Sequence, residues 1–149
     1  MGLQLVLIRA MRLLVIIMGI RLATEKDFDQ IISMCSEFWG HSGMEVEFQP
    51  EQARAMLYVS LDHGLLAVEN NLNGFISAIK GPCIGNADYI MATELAWWIN
   101  PNYRGKMLGV QLLKYLEKLC ISQGVHRLNM LFMETSMPDR IKNLYERFG

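Results

Sequence analysis

The sequence predicts one α/β domain in which helices flank a mixed, mostly antiparallel sheet. The chain has 149 residues, enough to bury a core, and its 52% apolar and 19% charged residues are typical of a globular protein. From Met18 onward, apolar runs of strand length alternate with apolar residues at helical spacing. The elements follow in the order β-α-α-β-β-β-α-β-α, without an internal repeat or an interdomain linker.

The first three elements are a strand and two helices. Residues 19–23 form the strand, and Thr24 caps the first helix, with Asp27 three residues later as in a capping box. The apolar residues of that helix recur three and four apart, at Phe28, Ile31, Ile32, Cys35 and Phe38, which predicts one buried face. After a glycine-containing loop, the second helix is expected over residues 51–62.

The remaining elements are a hairpin, a long strand, a helix, a strand and a last helix. Two apolar runs around a polar turn predict an antiparallel hairpin within residues 64–82, and residues 89–99 predict a third long strand. A helix follows over residues 109–124, and a strand over residues 126–134. Pro138 opens the last helix. Its apolar stripe comprises Ile141, Leu144, Tyr145 and Phe148.

Charge and cysteine content argue against several functions. A net charge of −1 provides no basic face for nucleic acid. The cysteines, Cys35, Cys83 and Cys120, are odd in number and lack CxxC spacing, which indicates a reducing, cytoplasmic compartment and no disulfide framework. The three histidines are scattered along the chain, so no metal site is predicted.

Residues 1–17 form an apolar extension ahead of the predicted domain, which spans residues 18–149. Arg9 and Arg12 interrupt the extension, and the longest uncharged run, residues 13–20, is far shorter than the ~20 residues of a membrane-spanning helix. No small-residue cleavage site follows, as a signal peptide would require. We favour a non-native extension over the alternative, an amphipathic segment lying on a membrane surface.

The stretch "INPNYRGKMLG", residues 99–109, joins the third long strand to the following helix and is called the junction below. The unpaired N–H groups and the positive dipole end of a helix that begins after Gly105 can bind an anion. Arg104 and Lys106 add two cations, and Gly105 and Gly109 keep side chains away from an approaching phosphate. The alternative, on these residues alone, is an ordinary strand-to-helix turn with solvated charges.

The junction and the end of the chain together resemble the GCN5-related N-acetyltransferase (GNAT) family. The family motif Arg/Gln-x-x-Gly-x-Gly/Ala matches Arg104 at its first position and Gly109 at its last, and the family's Leu-Tyr-x-x-x-Gly matches Leu144, Tyr145 and Gly149. The resemblance covers residues 18–149. The sequence segments "ELAWWINPN" and "METSMP" most resemble those of small family members carried by tailed phages.

This resemblance implies acetyl-CoA as co-substrate and assigns residues to its binding. In the family, the strand before the motif holds the acetyl and pantetheine arms with free backbone groups, which places residues 96–99 there, with Trp98 or Ile99 donating an N–H to the thioester carbonyl. The implied acetyl-CoA-binding residues are Trp97, Trp98, Ile99, Arg104, Gly105, Lys106, Met107, Leu108 and Gly109. Trp97 and Trp98 must point to opposite faces of the strand, one into the core and the other toward the acceptor cleft.

Acetyl transfer to an amine requires a base and an acid. Glu94, on the same strand, is the candidate base, with a solvent-facing carboxylate as the alternative, and Glu134 is the second choice. Tyr145 matches the family tyrosine that protonates the leaving thiolate; packing in the apolar stripe is its alternative role. Carboxylates of the loop after the first helix, Glu37, Glu45 and Glu47, either attract a cationic acceptor or are simply solvated.

Three departures from the family pattern bear on activity. Met107 occupies the slot of the first motif glycine, and Pro138 and Ile141 replace a common Asn and Ala. The two strands that usually end the family domain are expected to be missing, which would make the domain C-terminally incomplete and leave sheet edges that favour a homodimer.

Two functions therefore compete. The first is an N-acetyltransferase that transfers acetyl from acetyl-CoA to a small-molecule or peptide amine by direct attack in a ternary complex. The second is a catalytically inactive CoA-binding or protein-interaction module on the same fold. A membrane-attached protein, led by residues 1–17, is a third and less favoured reading.

Overall fold

The computed structural model describes residues 19–131, together with 143, 144, 146 and 147. Its helices are α1 (Phe28–His41), α2 (Pro50–Asp62) and α3 (Leu108–Ser122), and single 3-10 turns cover Glu25–Asp27 and Pro101–Tyr103. Its strands are β1 (Ile20–Leu22), β2 (Leu66–Glu69), β3 (Gly74–Cys83), β4 (Asn86–Ile99) and β5 (Arg127–Asn129). Asn143, Leu144, Glu146 and Arg147 are helical. The predicted order of elements is confirmed across these residues.

The five strands form one sheet in the order β1-β2-β3-β4-β5. Neighbouring strands are antiparallel from β1 to β4, and β5 runs parallel to β4. The parallel pair needs a crossover connection, which α3 provides. The sheet is therefore mixed and mostly antiparallel, as predicted.

Each face of the sheet carries its own apolar core. Phe75 and Ile76 are consecutive on β3 and fully buried on opposite faces. Ile76 packs with Leu112 and Leu116 of α3, whereas Phe75 packs with Phe28 and other residues of α1 and α2. The sheet thus separates α3 from the α1–α2 pair.

A partly buried ion pair between Arg21 and Asp27 lies just before the start of α1. Asp27 accepts two hydrogen bonds from the Arg21 guanidinium, at 2.7 and 2.8 Å, and one from the Thr24 N–H at 2.8 Å. The bond from the Thr24 N–H, together with the Thr24 side chain over the Asp27 N–H, forms the predicted capping box. The hydrogen bonds from Arg21 hold the pKa of the Asp27 carboxyl below its usual value.

Several boundaries differ from the sequence prediction. Strand β4 begins at Asn86 rather than at Tyr89, and β5 ends at Asn129 rather than at residue 134. Strand β3 continues through Pro82 to Cys83, because β2 pairs only with residues 75–77 of β3 and Pro82 lies on an edge, where a missing N–H is tolerated. Helix α3 begins at Leu108 rather than directly after Gly105, because two residues with positive φ precede it.

Several sequence predictions lie outside the described residues. These are the N-terminal extension, residues 1–17, and the candidate side chains Glu134, Pro138, Ile141 and Tyr145. Among the described residues, no helix combines the length and apolar character needed to cross a bilayer.

Candidate functional site

The junction backbone turns sharply before α3 through two left-handed residues. Gly105 has φ +78° and Met107 has φ +67°. The first α-helical hydrogen bond runs from the Gln111 N–H to the Met107 carbonyl, at 2.9 Å. The N–H groups of Leu108, Gly109 and Val110 precede it and belong to the helix's first turn, which helical bonding leaves without internal acceptors. These donors and the helix dipole suit a phosphate.

The two cations of the junction differ in what they contact. Arg104 donates from Nε to the Ile99 carbonyl at 2.9 Å, and its guanidinium lies 4.4 Å from the centre of the Trp98 ring. The Lys106 ammonium lies 5.8 Å from the Tyr103 ring on an exposed side chain. Arg104 therefore secures the end of β4, and Lys106 is the cation that projects into solvent.

The two glycines of the junction also have different roles. A side chain at Gly105 would meet open space, so its glycine is explained by the positive φ. A Cβ at Gly109 would lie 3.3 Å from Cζ2 of Trp97. The missing side chain at Gly109 thus lets α3 approach β4, and its role in leaving space for a phosphate stays a prediction.

Beside the junction, β4 extends beyond the residues with which β5 pairs in the described part of the chain. Within the described residues, β5 pairs only with Met91, Ala92 and Thr93, and β4 continues to Ile99. On its other side, β4 stays paired with β3, with Ser77 opposite Ala96 and Ala78 opposite Glu94. Leu95 is the extra residue of a β-bulge at this point.

The paired tryptophans occupy opposite faces, as predicted. Trp97 packs with α3, and Trp98 packs on the α1 side, where Phe38 lies at 6.3 Å and His41 at 5.2 Å between ring centres. Trp98 is only 6% exposed. Both indoles therefore belong to core clusters, and Trp98 is buried against Phe38 and is not at an open surface.

Glu94 is buried at the place where β4 and β5 part. Its side chain is 6% exposed, and Oε2 accepts a hydrogen bond from the Leu131 N–H at 3.1 Å. The solvent-facing alternative for Glu94 is wrong. Its partner in the predicted chemistry, Tyr145, lies outside the described residues.

A cavity of about 420 Å³ lies between α1, α2 and the β4 bulge. The Trp39 indole N–H donates to the Val46 carbonyl at 2.7 Å, and the Trp39 and Phe48 rings lie 6.0 Å apart, so the loop after α1 is tied over the cavity. Its lining residues are Cys35, Phe38, Trp39, Val46, Glu47, Phe48, Gln49, Gln52, Ala53, Met56, Leu57, Ser77, Leu95 and Ala96. We call it the apolar cavity.

Sequence analysis did not predict the apolar cavity. The helical spacing at Phe38 and Leu57 predicted two buried helix faces and gave no signal that a gap separates them from β4. Of the three loop carboxylates singled out, only Glu47 lines the cavity. Burial raises the pKa of the Cys35 thiol, which also lines it, to about 12.

A second depression, about 500 Å³ and polar, lies on the far side of the junction. Lys106 and Tyr103 reach it from the junction, and Glu69 and Asn73 from the β2–β3 turn. The Glu69 carboxylate is occupied there, since it accepts hydrogen bonds from the Asn73 backbone and side-chain nitrogens at 3.1 and 3.0 Å. One wall of this depression is therefore a turn bonded to itself, and the other is formed by the junction and the start of α3.

Among the described residues, no three His, Cys, Asp or Glu side chains are grouped so as to hold a metal ion.

Comparison with known proteins gives one family and many structures. A family model described as "Acetyltransferase (GNAT) family" matches residues 26–149. No curated protein matches the chain. Similar crystal structures include a predicted acetyltransferase with acetyl-CoA from Clostridium acetobutylicum, with 18% identity, a TM-score of 0.68 and 87% of each chain covered.

Two further similar structures carry different names. A transcriptional regulator from Bacillus halodurans C-125 shares 22% identity at a TM-score of 0.68, over 87% of this chain and 90% of that one. A ribosomal-protein-alanine N-acetyltransferase from Brucella melitensis biovar Abortus 2308 shares 16% identity at a TM-score of 0.65, over 87% of this chain and 89% of that one. At these identities the likeness concerns the fold.

Proposed function

Because this chain belongs to the acetyltransferase (GNAT) family, we propose that it transfers an acetyl group from acetyl-CoA to a primary amine by direct attack in a ternary complex. The observation that carries the proposal is the junction itself, where the long strand β4 leads through a sharp turn, beside the exposed Lys106, into the first-turn N–H groups of α3. The start of the helix offers N–H donors for a phosphate, and β4 would align the extended amide arm beside it.

Acetyl-CoA would lie along both elements. The N–H groups from Gly105 to Gly109 and the Lys106 ammonium would bind the pyrophosphate. The backbone of Trp97, Trp98 and Ile99 would pair with the amides of the pantetheine arm, as a neighbouring strand does. Arg104 acts indirectly, because its contacts with Ile99 and Trp98 fix the strand end that presents those groups. The similar protein from Clostridium acetobutylicum is described with acetyl-CoA.

The reaction needs a neutral amine, yet an alkylamine has a pKa of about 10.4. In the proposed mechanism Glu94 takes the ammonium proton, directly or through water, and the Leu131 N–H holds its carboxylate in place. The amine nitrogen then attacks the thioester carbonyl carbon, whose oxygen is stabilised by a β4 N–H. The carbon–sulfur bond breaks, and Tyr145 donates a proton to the departing thiolate. The second proton of the attacking nitrogen then passes, directly or through water, to the Tyr145 phenolate, which restores the phenol and leaves a neutral amide.

Cysteine chemistry favours direct attack over an acyl-enzyme. Burial raises the pKa of Cys35 to about 12 and that of Cys120 to about 11. Both thiols are therefore protonated at neutral pH, and a protonated thiol is a poor nucleophile. The acetyl group would pass to the amine without a covalent acyl-enzyme intermediate at Cys35 or Cys120.

A second candidate function is a CoA-binding or protein-interaction module without turnover. It is favoured by Met107, a side-chain-bearing residue at a left-handed position where the family motif has glycine. The similar Bacillus halodurans protein is named a transcriptional regulator. A CoA-binding module would bind acetyl-CoA at the junction without turnover, whereas a protein-interaction module would have lost both CoA binding and turnover.

Calorimetric titration of acetyl-CoA into the full chain tests the binding site. Lys106→Glu reverses the exposed cation and is expected to weaken binding about tenfold or more, roughly the loss of one charge-assisted contact. Lys118→Glu is the matched control, since it makes the same charge change on an exposed residue near the other end of α3. Equal weakening by both variants, or no binding by the folded wild type, would contradict the assignment.

Turnover separates the two candidate functions. Release of the CoA thiol is followed with a panel of amines, and Tyr145→Phe is expected to lower kcat by one to two orders of magnitude or more while leaving acetyl-CoA affinity unchanged. Binding without turnover of any amine would favour the inactive module. Turnover that is unaffected in Tyr145→Phe would remove that residue from the mechanism.

A further inference from the structure

The apolar cavity ends at the part of β4 where acetyl transfer is proposed. Leu95 and Ala96 belong both to its wall and to the section of β4 beyond its pairing with β5. The proposed site of the thioester and the cavity therefore meet at the β4 bulge. A molecule held in the cavity can present one end to that carbonyl while the rest of it lies against α1 and α2.

The lining of the apolar cavity carries little charge. Aromatic and aliphatic side chains such as Phe38, Phe48 and Met56 make up most of it. Glu47, Gln49 and Gln52 are exposed at the rim, and the one buried hydroxyl among the lining residues, that of Ser77, donates to the Ala96 carbonyl at 3.4 Å. Glu47 is the one carboxylate among the described lining residues. Burial keeps the Cys35 thiol neutral.

We propose, resting on the acetyl-transfer function above, that the acceptor is a small primary amine with a single positive charge and an apolar body. The apolar body would displace water from Phe38, Phe48 and Met56, which is favourable in proportion to the area covered. Glu47 at the rim attracts the ammonium during entry. A cavity of about 420 Å³ lies within the size range of small-molecule sites.

The same lining disfavours polycations. A polyamine or aminoglycoside that entered would carry its further ammonium groups past the apolar wall, where an unpaired charge is costly. One exposed carboxylate compensates at most one of those charges. The cavity therefore selects against acceptors that bear several amines.

Direct binding measurements test this acceptor class independently of turnover. The probes are 2-phenylethylamine, spermidine and a tripeptide with an N-terminal leucine, each titrated into the full chain with and without saturating CoA. We expect 2-phenylethylamine to bind at least about tenfold more tightly than either of the others, since one well-placed apolar group is worth about 10- to 200-fold in an apolar pocket. Tighter binding of spermidine or of the peptide, or no binding of 2-phenylethylamine in either state, would overturn the proposal.

Two alanines of α2 provide a matched pair of variants. Ala53 is half-buried and lines the cavity, whereas Ala55 is exposed and outside its lining. Ala53→Glu is expected to reduce the preference for 2-phenylethylamine over spermidine about tenfold, and Ala55→Glu, with the same charge change, is expected to leave it unaltered. Equal effects of the two variants would mean that net charge, and not the cavity, sets the preference.

A milder variant covers the case in which Ala53→Glu does not fold. Gln52→Glu adds a carboxylate at the exposed rim without changing side-chain size, and we expect it to strengthen spermidine binding several-fold. An unchanged spermidine affinity would contradict the proposal. Circular dichroism checks the fold of each variant.

The two proposals fail in different measurements. Suppose that acetyl-CoA does not bind, or that no amine is acetylated, while 2-phenylethylamine still binds more tightly than the other probes. The transferase function is then wrong, and the proposed ligand class of the cavity is still supported. If acetyl transfer occurs and a polycation is the better acceptor, the function stands and the acceptor class is wrong.

Discussion

Replacing Met107 by glycine or by alanine measures the backbone strain at the start of α3. Met107 has φ +67°, and an L-residue pays roughly 1–2 kcal/mol in the left-handed region, a cost that glycine escapes. Glycine loses about 0.5–1 kcal/mol more in chain entropy than alanine on folding. The difference predicts that Met107→Gly is more stable than Met107→Ala by about 1 kcal/mol.

Comparing the two variants with each other removes the packing contribution. The methionine side chain is 60% exposed, and both variants lose whatever contacts lie beyond its Cβ, so only backbone conformation distinguishes them. The free energy of unfolding is measured by urea titration followed by tryptophan fluorescence. A gap of this size corresponds to about 2–4 °C in Tm for a chain of this length.

Gln111 supplies the control of opposite sign. It lies within α3, where alanine is favoured over glycine by about 1 kcal/mol. We expect Gln111→Ala to be more stable than Gln111→Gly, the reverse of the order at Met107. If alanine equals or exceeds glycine at position 107 as well, the argument from left-handed strain is refuted.

Three further predictions concern packing, pH dependence and thiol reactivity. A Cβ at Gly74 would lie 3.0 Å from the Trp98 carbonyl oxygen, so Gly74→Ala is expected to cost about 1–3 kcal/mol in a thermal melt and to weaken acetyl-CoA binding at the adjoining strand. The pKa of Asp27 is lowered by Arg21, so Asp27→Asn is expected to cost about 1–2 kcal/mol near pH 7. That cost should shrink below about pH 4 as wild-type Asp27 becomes protonated, and a pH-independent cost would contradict the ion pair. With a pKa of about 12, about one Cys35 thiol in ten thousand is ionised at pH 8, so mass spectrometry should find it unlabelled by iodoacetamide until the chain is unfolded.

The order of elements was predictable because it depends on local patterns. Alternation in the strands and three-to-four spacing in the helices are visible in single windows of the sequence. The family motif at the junction likewise depends on neighbouring residues. These signals predicted the mixed sheet, the hairpin and the position of α3 to within a few residues.

The details of the site were less predictable because they depend on residues far apart in the chain. Arg104 was expected to face a phosphate, but its contacts are with Trp98 and the Ile99 carbonyl. The burial of Glu94 depends on the path of the backbone at Leu131, 37 residues later. The left-handed φ of Met107 could not be predicted from the sequence, because methionine rarely adopts a positive φ.

The gap between α1, α2 and the sheet is likewise a property of the assembled fold. Each helix shows an apolar face that is compatible with complete burial, and only their spacing over β4 leaves the cavity. The spacing of apolar residues predicts which side chains are buried, but it does not predict the distance between a helix and the sheet against which it packs. The acceptor class therefore had to be inferred from the structure.

The extra residue at Leu95 has a consequence for the evolution of β4. Ala92 packs with α3, whereas Ala96 and Trp98 pack with α1 and α2, although all three stand at even positions of one strand. The bulge thus acts like a frameshift in a coding sequence. Before it, even-numbered side chains of β4 point toward α3, and after it they point toward α1 and α2. Substitution tolerance along β4 should change parity at this residue. Without Leu95, Trp97 would point toward α1 and α2, and Trp98 toward α3. A single-residue deletion is therefore expected to be less tolerated here than most substitutions.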